Sequence, residues 1–306
     1  MATPGEYNPP SSAAIKKRQN ETDALRLLIA QRRLYRQAKR WLGLRWVGMI
    51  VIGLAAPVIS VIWESIAVVM GAIAGVWIFF ARTLLLAAQT AITVRAASVQ
   101  EQFDFYVFEM PDNASRSTLP SLEEIAAVAG PDDQIVTSAK AEKLIDWYSV
   151  DTKVRGADAI AIAMRSNASY ADRLLRTTAK VWAISTGLWT LVLIILSAAL
   201  GLSLSTFLLG VALPVLPAFL DVVHYINGVW RSAQDRGDLA QLIEDRVNDK
   251  DNPVEGQDLL VWQERLFELR RSAPEVPDFL YGLRRKVNER AMHTAANQLS
   301  RRARKR

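Results

Sequence analysis

Three stretches of this sequence run for membrane-spanning lengths without a charged side chain: 18 residues at 46–63, 17 at 65–81 and 40 at 181–220. A helix needs about 20 apolar residues to cross the ~30 Å hydrocarbon core. The 40-residue run is therefore long enough for two crossings joined by a tight turn. In lipid each backbone N–H and C=O must find its partner within the segment, so the runs read as helices. The expected fold is all-α and integral to the membrane, with two transmembrane hairpins whose four spans lie at 46–62, 66–88, 181–200 and 204–223. The rest divides into a start and basic helix (1–45), a large insert (89–180) and a helical tail (224–306), the hairpins occupying 46–88 and 181–223.

Charge sets the orientation. Residues 1–45 carry ten Lys and Arg against three acids, 82–180 eleven against thirteen, and 221–306 sixteen against fourteen. All 37 basic residues fall in these segments, and none in the turns near Glu64 and 201–205. Lys and Arg collect on the cytoplasmic side of a membrane protein. Both termini and the insert are thus expected in the cytoplasm. Trp41, Trp46, Trp182 and Trp230 sit near the inner ends of the spans, a depth that suits an apolar ring with one polar N–H. Arg82 falls inside the second span near that end, placed either to snorkel to the headgroups or to contact anions at a pore mouth. The first apolar run begins 45 residues in, without a short apolar region and cleavage site ahead of it, so no cleaved signal peptide is expected.

Residues 1–12, Pro- and Ser-containing, read as disordered. From Asn20 the pattern becomes helical: Leu27, Leu28, Leu34, Ala38 and Leu42 recur at three- and four-residue spacing opposite Arg26, Arg32, Arg33, Arg36 and Arg40. Such a basic amphipathic helix suits either the anionic inner leaflet or packing on the cytoplasmic domain. In the insert, 122–128, 140–148 and 157–179 look helical, and the tail reads as helices near 222–248, 257–272 and 278–300, punctuated by Pro253, Pro274 and Pro277. The chain ends on a basic run at 301–306. Within the membrane, Gly71 and Gly75 form a small-xxx-small pattern that lets helices approach closely, and Pro214 and Pro217 bend the fourth span. Whether that bend is a gate hinge or ordinary packing stays open.

Several functions are disfavoured. The chain has no Cys and only His224 and His293, so neither disulfides nor a dedicated metal site is expected. There is no phosphate-cradling glycine loop and no nucleophile elbow, so the chain does not read as an enzyme and calls for no cofactor. The spans read as lacking the internal acid–base pairs of ion-coupled transporters, their polar residues being mostly Ser and Thr. Asn113 and Asn167 begin glycosylation sequons, discounted because both are expected in the cytoplasm.

The stretches at 15–41, 101–111 (EQFDFYVFEMP), 144–148 (LIDWY), 163–176 (AMRSNASYADRLLR), 213–221 (LPVLPAFLD) and 263–292 resemble, in order around the two hairpins, the SMODS-associated four-transmembrane effector family of CBASS-like bacterial anti-phage systems. Where that family often has Cys-Gln-Arg before the Asn, this sequence has Ala163, Met164 and Arg165. The resemblance implies a pore-forming effector of the bacterial inner membrane. A cyclic oligonucleotide from a partner nucleotidyltransferase would gate or assemble it on the cytoplasmic side; no DNA or RNA duplex is expected as a partner. Four helices per chain are too few to enclose a wide channel alone, so a homo-oligomer in the lipid bilayer is expected. The competing reading is a membrane-anchored scaffold without pore activity. For the ligand, Arg165, Arg173 and Arg176 offer forked donors to phosphate, Trp147 and Tyr148 offer rings to stack on, and Asn167 lies among them.

Overall fold

The computed structural model describes residues 7–111 and 116–304, which are all-helical, without strands. The helices are α1 (Ser12–Arg18), α2 (Thr22–Ile62), α3 (Ala67–Phe80), α4 (Leu86–Phe108), α5 (Leu122–Ala129), α6 (Asp132–Ala141), α7 (Gly156–Ala199), α8 (Leu204–Thr206), α9 (Leu213–Asn248), α10 (Gly256–Arg271) and α11 (Asp278–Ala303). Two π-helical segments, Ala81–Leu85 and Phe207–Ala212, join α3 to α4 and α8 to α9. Among the described residues, four helices of 41 to 45 residues are long and apolar enough to cross a membrane: Thr22–Ile62, Val68–Phe108, Gly156–Ala199 and Leu204–Asn248.

At 1.5 Å per residue each is about 60 Å long, twice the hydrocarbon thickness. One half of each joins a bundle whose surface is apolar: Val47, Leu54, Val68, Phe79, Leu188, Ile195 and Leu209 are all more than half exposed. The other halves converge with α1, α5, α6, α10 and α11 into a folded head. One buried cluster there joins Ile15, Leu28, Phe103, Ile135, Ile160, Leu259 and Leu299, so the N-terminal region, the insert and the tail share one core on one side of the spans. Full burial of such side chains contributes about 1.5–3 kcal/mol each.

Four long apolar helices contain the stretches that hydropathy marks as spans, and each runs on as helix beyond its stretch. The boundaries near 45, 88, 180 and 223 fall inside continuous helices. A helix of this length running out of a span cannot lie flat on the leaflet. The apolar stripe of α2 (Leu25, Leu28, Ile29, Leu34) instead enters the head core, the packing alternative of the two. Its arginines face the insert: Arg26 pairs with Asp132 at 2.7 Å, and Arg33 with Glu142 at 3.1 Å.

Two expectations need correction. The start is not disordered through Ser12: Tyr7 is buried with its hydroxyl donating to the Phe108 carbonyl at 2.5 Å, and Ser12 donates to the Val154 carbonyl at 2.9 Å; residues 1–6 lie outside the described residues. This segment crosses the first turns of α7 and α10, where Gly156 and Gly256 leave room for it. A Cβ at either would overlap the carbonyl oxygen of Pro10 or Tyr7. Second, 140–148 is not one helix: Lys140 and Ala141 end α6, and the chain beyond them is not helical. Lys143 and Asp146 adopt left-handed φ of 57° and 52°, which ends α6 and turns the chain so that Leu144 and Tyr148 point inward. Near the inner ends of their spans, Trp46 and Trp182 pack on each other. Their rings stack at 4.0 Å between α2 and α7, with Tyr225 of α9 edge-on to Trp46 at 5.1 Å, because the flat faces bury more area against each other.

Pro214 lacks the N–H that the Gly210 carbonyl would receive, and its ring crowds that carbonyl. The helix answers with the wider turn at Phe207–Ala212 and runs on through Pro217, which is half-buried inside α9. Gly71 and Gly75 face away from the chain's own bundle: a Cβ at either meets nothing within 4 Å. Residues Asp112 to Ser115, including the Asn113 sequon, lie outside the described residues, as do residues 305–306 of the basic end.

Candidate functional site

A cavity of about 540 Å³ opens in the head where the extensions of α2, α7 and α9 meet α10 and the 273–276 loop. Its wall is cationic. Arg32, Arg36 and Lys39 come from successive turns of α2, Arg236 from α9 and Arg270 from the end of α10, against one lining carboxylate, Glu275. Its aromatic lining is Tyr35, Trp147 and Tyr170.

The floor is built from a buried polar network. Asp104, 1 % exposed on α4, accepts from Tyr148 Oη at 2.5 Å, from Gln263 Nε2 at 3.1 Å and from Arg270 Nη1 at 2.6 Å. Tyr148 packs between Phe103 and Phe108, and its backbone is held by the Gln19 side chain. Burial pushes the Tyr148 hydroxyl well above its ordinary pKa, and the Asp104 charge adds to it. Burial alone would lower the Arg270 pKa; Asp104 beside it outweighs that and leaves the guanidinium more firmly protonated. Both groups therefore keep their protons at neutral pH.

The structure divides the sequence-derived ligand residues. Trp147 and Asn167 line the cavity, and Tyr148 lies behind its wall in the Asp104 network. Arg165 does not line it: it reaches across to α9 and pairs with Glu244 at 2.7 Å. Arg176 pairs with Asp172 at 2.6 Å and lies over the Trp230 ring, while Arg173 is exposed on the same helix. Two of the cations that line the cavity, Arg236 and Arg270, escaped notice although they carry a readable signal. Each falls on the apolar stripe of its helix, Arg236 among Ala233, Leu239, Ala240 and Ile243, and Arg270 in register with Leu259, Trp262 and Leu266. A charge at a core position of a helical period has to be answered inside the fold.

A second polar centre lies where the head meets the spans. Asp221, 5 % exposed on α9, takes Nε of Arg82 at 2.8 Å and Nη2 of Arg45 at 3.6 Å. Arg82 thus pairs within the chain, and the spans do carry an acid–base pair, contrary to the expectation that they lack one. The cause is that Asp221, at the end of the 40-residue uncharged run, is reached by a cation from the π-helical turn of the second span. One helical turn on, Tyr225 donates to the Glu275 carbonyl at 2.8 Å, and Thr93 donates to the Glu275 carboxylate at 2.9 Å. Glu275 lines the large cavity and also a smaller one, about 230 Å³, that holds Arg45 and Asp221. The two polar centres therefore share a residue.

The fold and these centres define a class: a multi-pass, four-span helical membrane protein carrying a basic cavity in a helical head. A family model described as SMODS-associating 4TM effector domain matches residues 13–299, so the chain belongs to that family. No curated protein and no solved structure matches the chain.

Proposed function

We propose that this protein is a membrane effector of a nucleotide-signalled anti-phage system, opened or assembled into a pore when a cyclic oligonucleotide occupies the head cavity. One observation carries the reading: the cavity is walled by continuous extensions of all four spanning helices, α2, α4 (through Gln100), α7 and α9. A ligand there touches the same rigid elements that cross the lipid, with no linker between. A ligand that binds a different arrangement of these helices more tightly than the resting one shifts the population toward it. The cationic, aromatic lining suits an anionic ligand with rings. The family's description as an effector that associates with SMODS supports a partner nucleotidyltransferase as its source. On this reading the head, with both termini, faces the cytoplasm of a bacterial inner membrane, as the distribution of Lys and Arg supports. Several copies enclose the pore. The test is dye release and ion flux from liposomes holding the purified full-length protein, with and without a panel of cyclic di- and trinucleotides. Flux on addition of one of them is expected. Saturable binding of a cyclic oligonucleotide without flux would favour the scaffold instead.

A further inference from the structure

Arg270 is 6 % exposed, and Asp104 answers only one of its nitrogens. Its Nε and Nη2 are buried without a hydrogen-bond partner among the described residues. Arg236, 5 % exposed, gives its donors to the Ser232 and Leu269 carbonyls and the Ser232 hydroxyl, and no carboxylate pairs with it among the described residues. Two guanidiniums on different helices thus border one cavity, with a single buried carboxylate bonded to the pair. Burial lowers the Arg236 pKa to about 10, and the like charge of Arg270 acts in the same direction. Even so it remains charged at neutral pH. Unanswered N–H groups and an uncompensated buried cation make this part of the resting head costly, and an anion placed there would relieve both costs.

We propose that Arg236 and Arg270 form a phosphate subsite, which reads one phosphate group of an organic phosphate while a ring of the same ligand lies beside Trp147 and Tyr35. A phosphate has oxygens enough to accept from two planar guanidiniums at once, which a single carboxylate does less well. The cavity, about 540 Å³, has room for far more than an isolated anion, and its aromatic lining suits the remainder of the ligand. In the occupied state the anion would replace part of what Asp104 supplies to Arg270. This couples occupancy to the α4–α10 contact and, through the loop that follows Arg270, to Glu275. The inference rests on the reading of this cavity as the signal site.

Pyrophosphate is the probe, titrated calorimetrically into the full-length protein in detergent or nanodiscs. Saturable binding is expected. Arg236→Gln and Arg270→Lys should weaken it at least tenfold, the second because a lysine keeps the charge beside Asp104 but loses the planar fork. Arg173→Gln, an exposed change off the cavity, should leave it unaltered. Absence of binding to the wild type overturns the subsite. So does equal weakening by Arg173→Gln, which would mean diffuse surface charge, and so do unchanged affinities in the two cavity variants. Should Arg270→Lys fail to fold, judged by thermal melting, Arg236→Gln alone decides. The broader reading fails separately: pyrophosphate binding as expected with no flux from any cyclic oligonucleotide would leave the subsite standing and remove the gating.

Discussion

Asp104 receives a phenol from the insert and an amide and a guanidinium from α10, in a position 1 % exposed. Removing its charge while keeping its shape leaves Arg270 as an uncompensated buried cation, a defect of about 3–5 kcal/mol. Asp104→Asn is therefore expected to lower the unfolding free energy of the head by that amount, read by denaturant unfolding followed by Tyr and Trp fluorescence. Tyr148→Phe removes one bond to a charged group and should cost less, about 1.5–3 kcal/mol. Equal losses from the two would mean that Asp104 is stabilised mainly by Tyr148 and not by the ion pair. At this scale the sequence was half legible. Trp147 and Asn167 were found beside the cavity because their neighbourhood was rich in aromatic and polar groups. Arg165 and Arg176 were in the same neighbourhood but face acids, Glu244 and Asp172, that only the packing of α7 on α9 and the local helical turn identify. Arg236 and Arg270 needed the opposite logic, a charge found where the helical period calls for an apolar residue.

Among the elements, the spans were readable because hydropathy reports the solvent a segment requires. Their helical flanks were legible too: hydropathy falls at Arg45 or Lys180 while helix propensity does not, since the residues around the joins are rich in Leu, Ala and Arg and carry no proline, Gly43 being accommodated within α2. The glycines of the spans separate into two kinds that sequence cannot distinguish. At Gly48 a Cβ would overlap the Trp77 ring, whereas at Gly71 and Gly75 it meets open space. Gly48→Leu should disrupt the hairpin of α2 and α3 within a single chain, lowering thermal stability in detergent. Gly71→Leu with Gly75→Leu should leave the chain inserted and its melting temperature unchanged, because nothing in the same chain is displaced. If copies meet along that face, the double variant should also weaken chemical crosslinking between copies and cut ligand-triggered dye release, since close approach of backbones is lost. Intact crosslinking with full release would remove these two glycines from any contact between copies.

For the whole molecule, the common core of the N-terminal region, insert and tail places them on one side of the four spans, as the charge count required. The absence of cysteine lets single substitutions test which side that is. Thr137→Cys, exposed on α6, should resist an impermeant maleimide in intact spheroplasts and react after lysis, while Ser205→Cys, exposed at the opposite turn, should react in both. The reverse pattern would invert the topology and leave a cytoplasmic signal no access to the head cavity.

How the cavity communicates with the membrane is a question about Asp221. Its carboxylate holds Arg45 of α2 and Arg82 of the second span against α9, at the level where the head ends and the lipid-facing surface begins. Tyr225, a turn away, fastens the same helix to Glu275 at the cavity rim and to the stacked Trp46 and Trp182. Three of the four long helices are thus tied by one buried acid, and the fourth, α7, by the aromatic stack. Neutralising the acid leaves two arginines facing each other without their counter-charge, Arg45 buried and Arg82 partly exposed, and like charges repel. Asp221→Asn should therefore loosen the closed arrangement. The expected result is dye release without any nucleotide, at least tenfold above the wild-type background in liposomes, with Asp221→Glu staying near background because it restores the charge. A merely damaged fold would give low incorporation and no release, and the two are separated by assaying only protein that elutes as the wild type does. Background release from Asp221→Asn at the wild-type level, with its nucleotide response intact, would show that the arginine clamp contributes to packing but does not hold the pore shut.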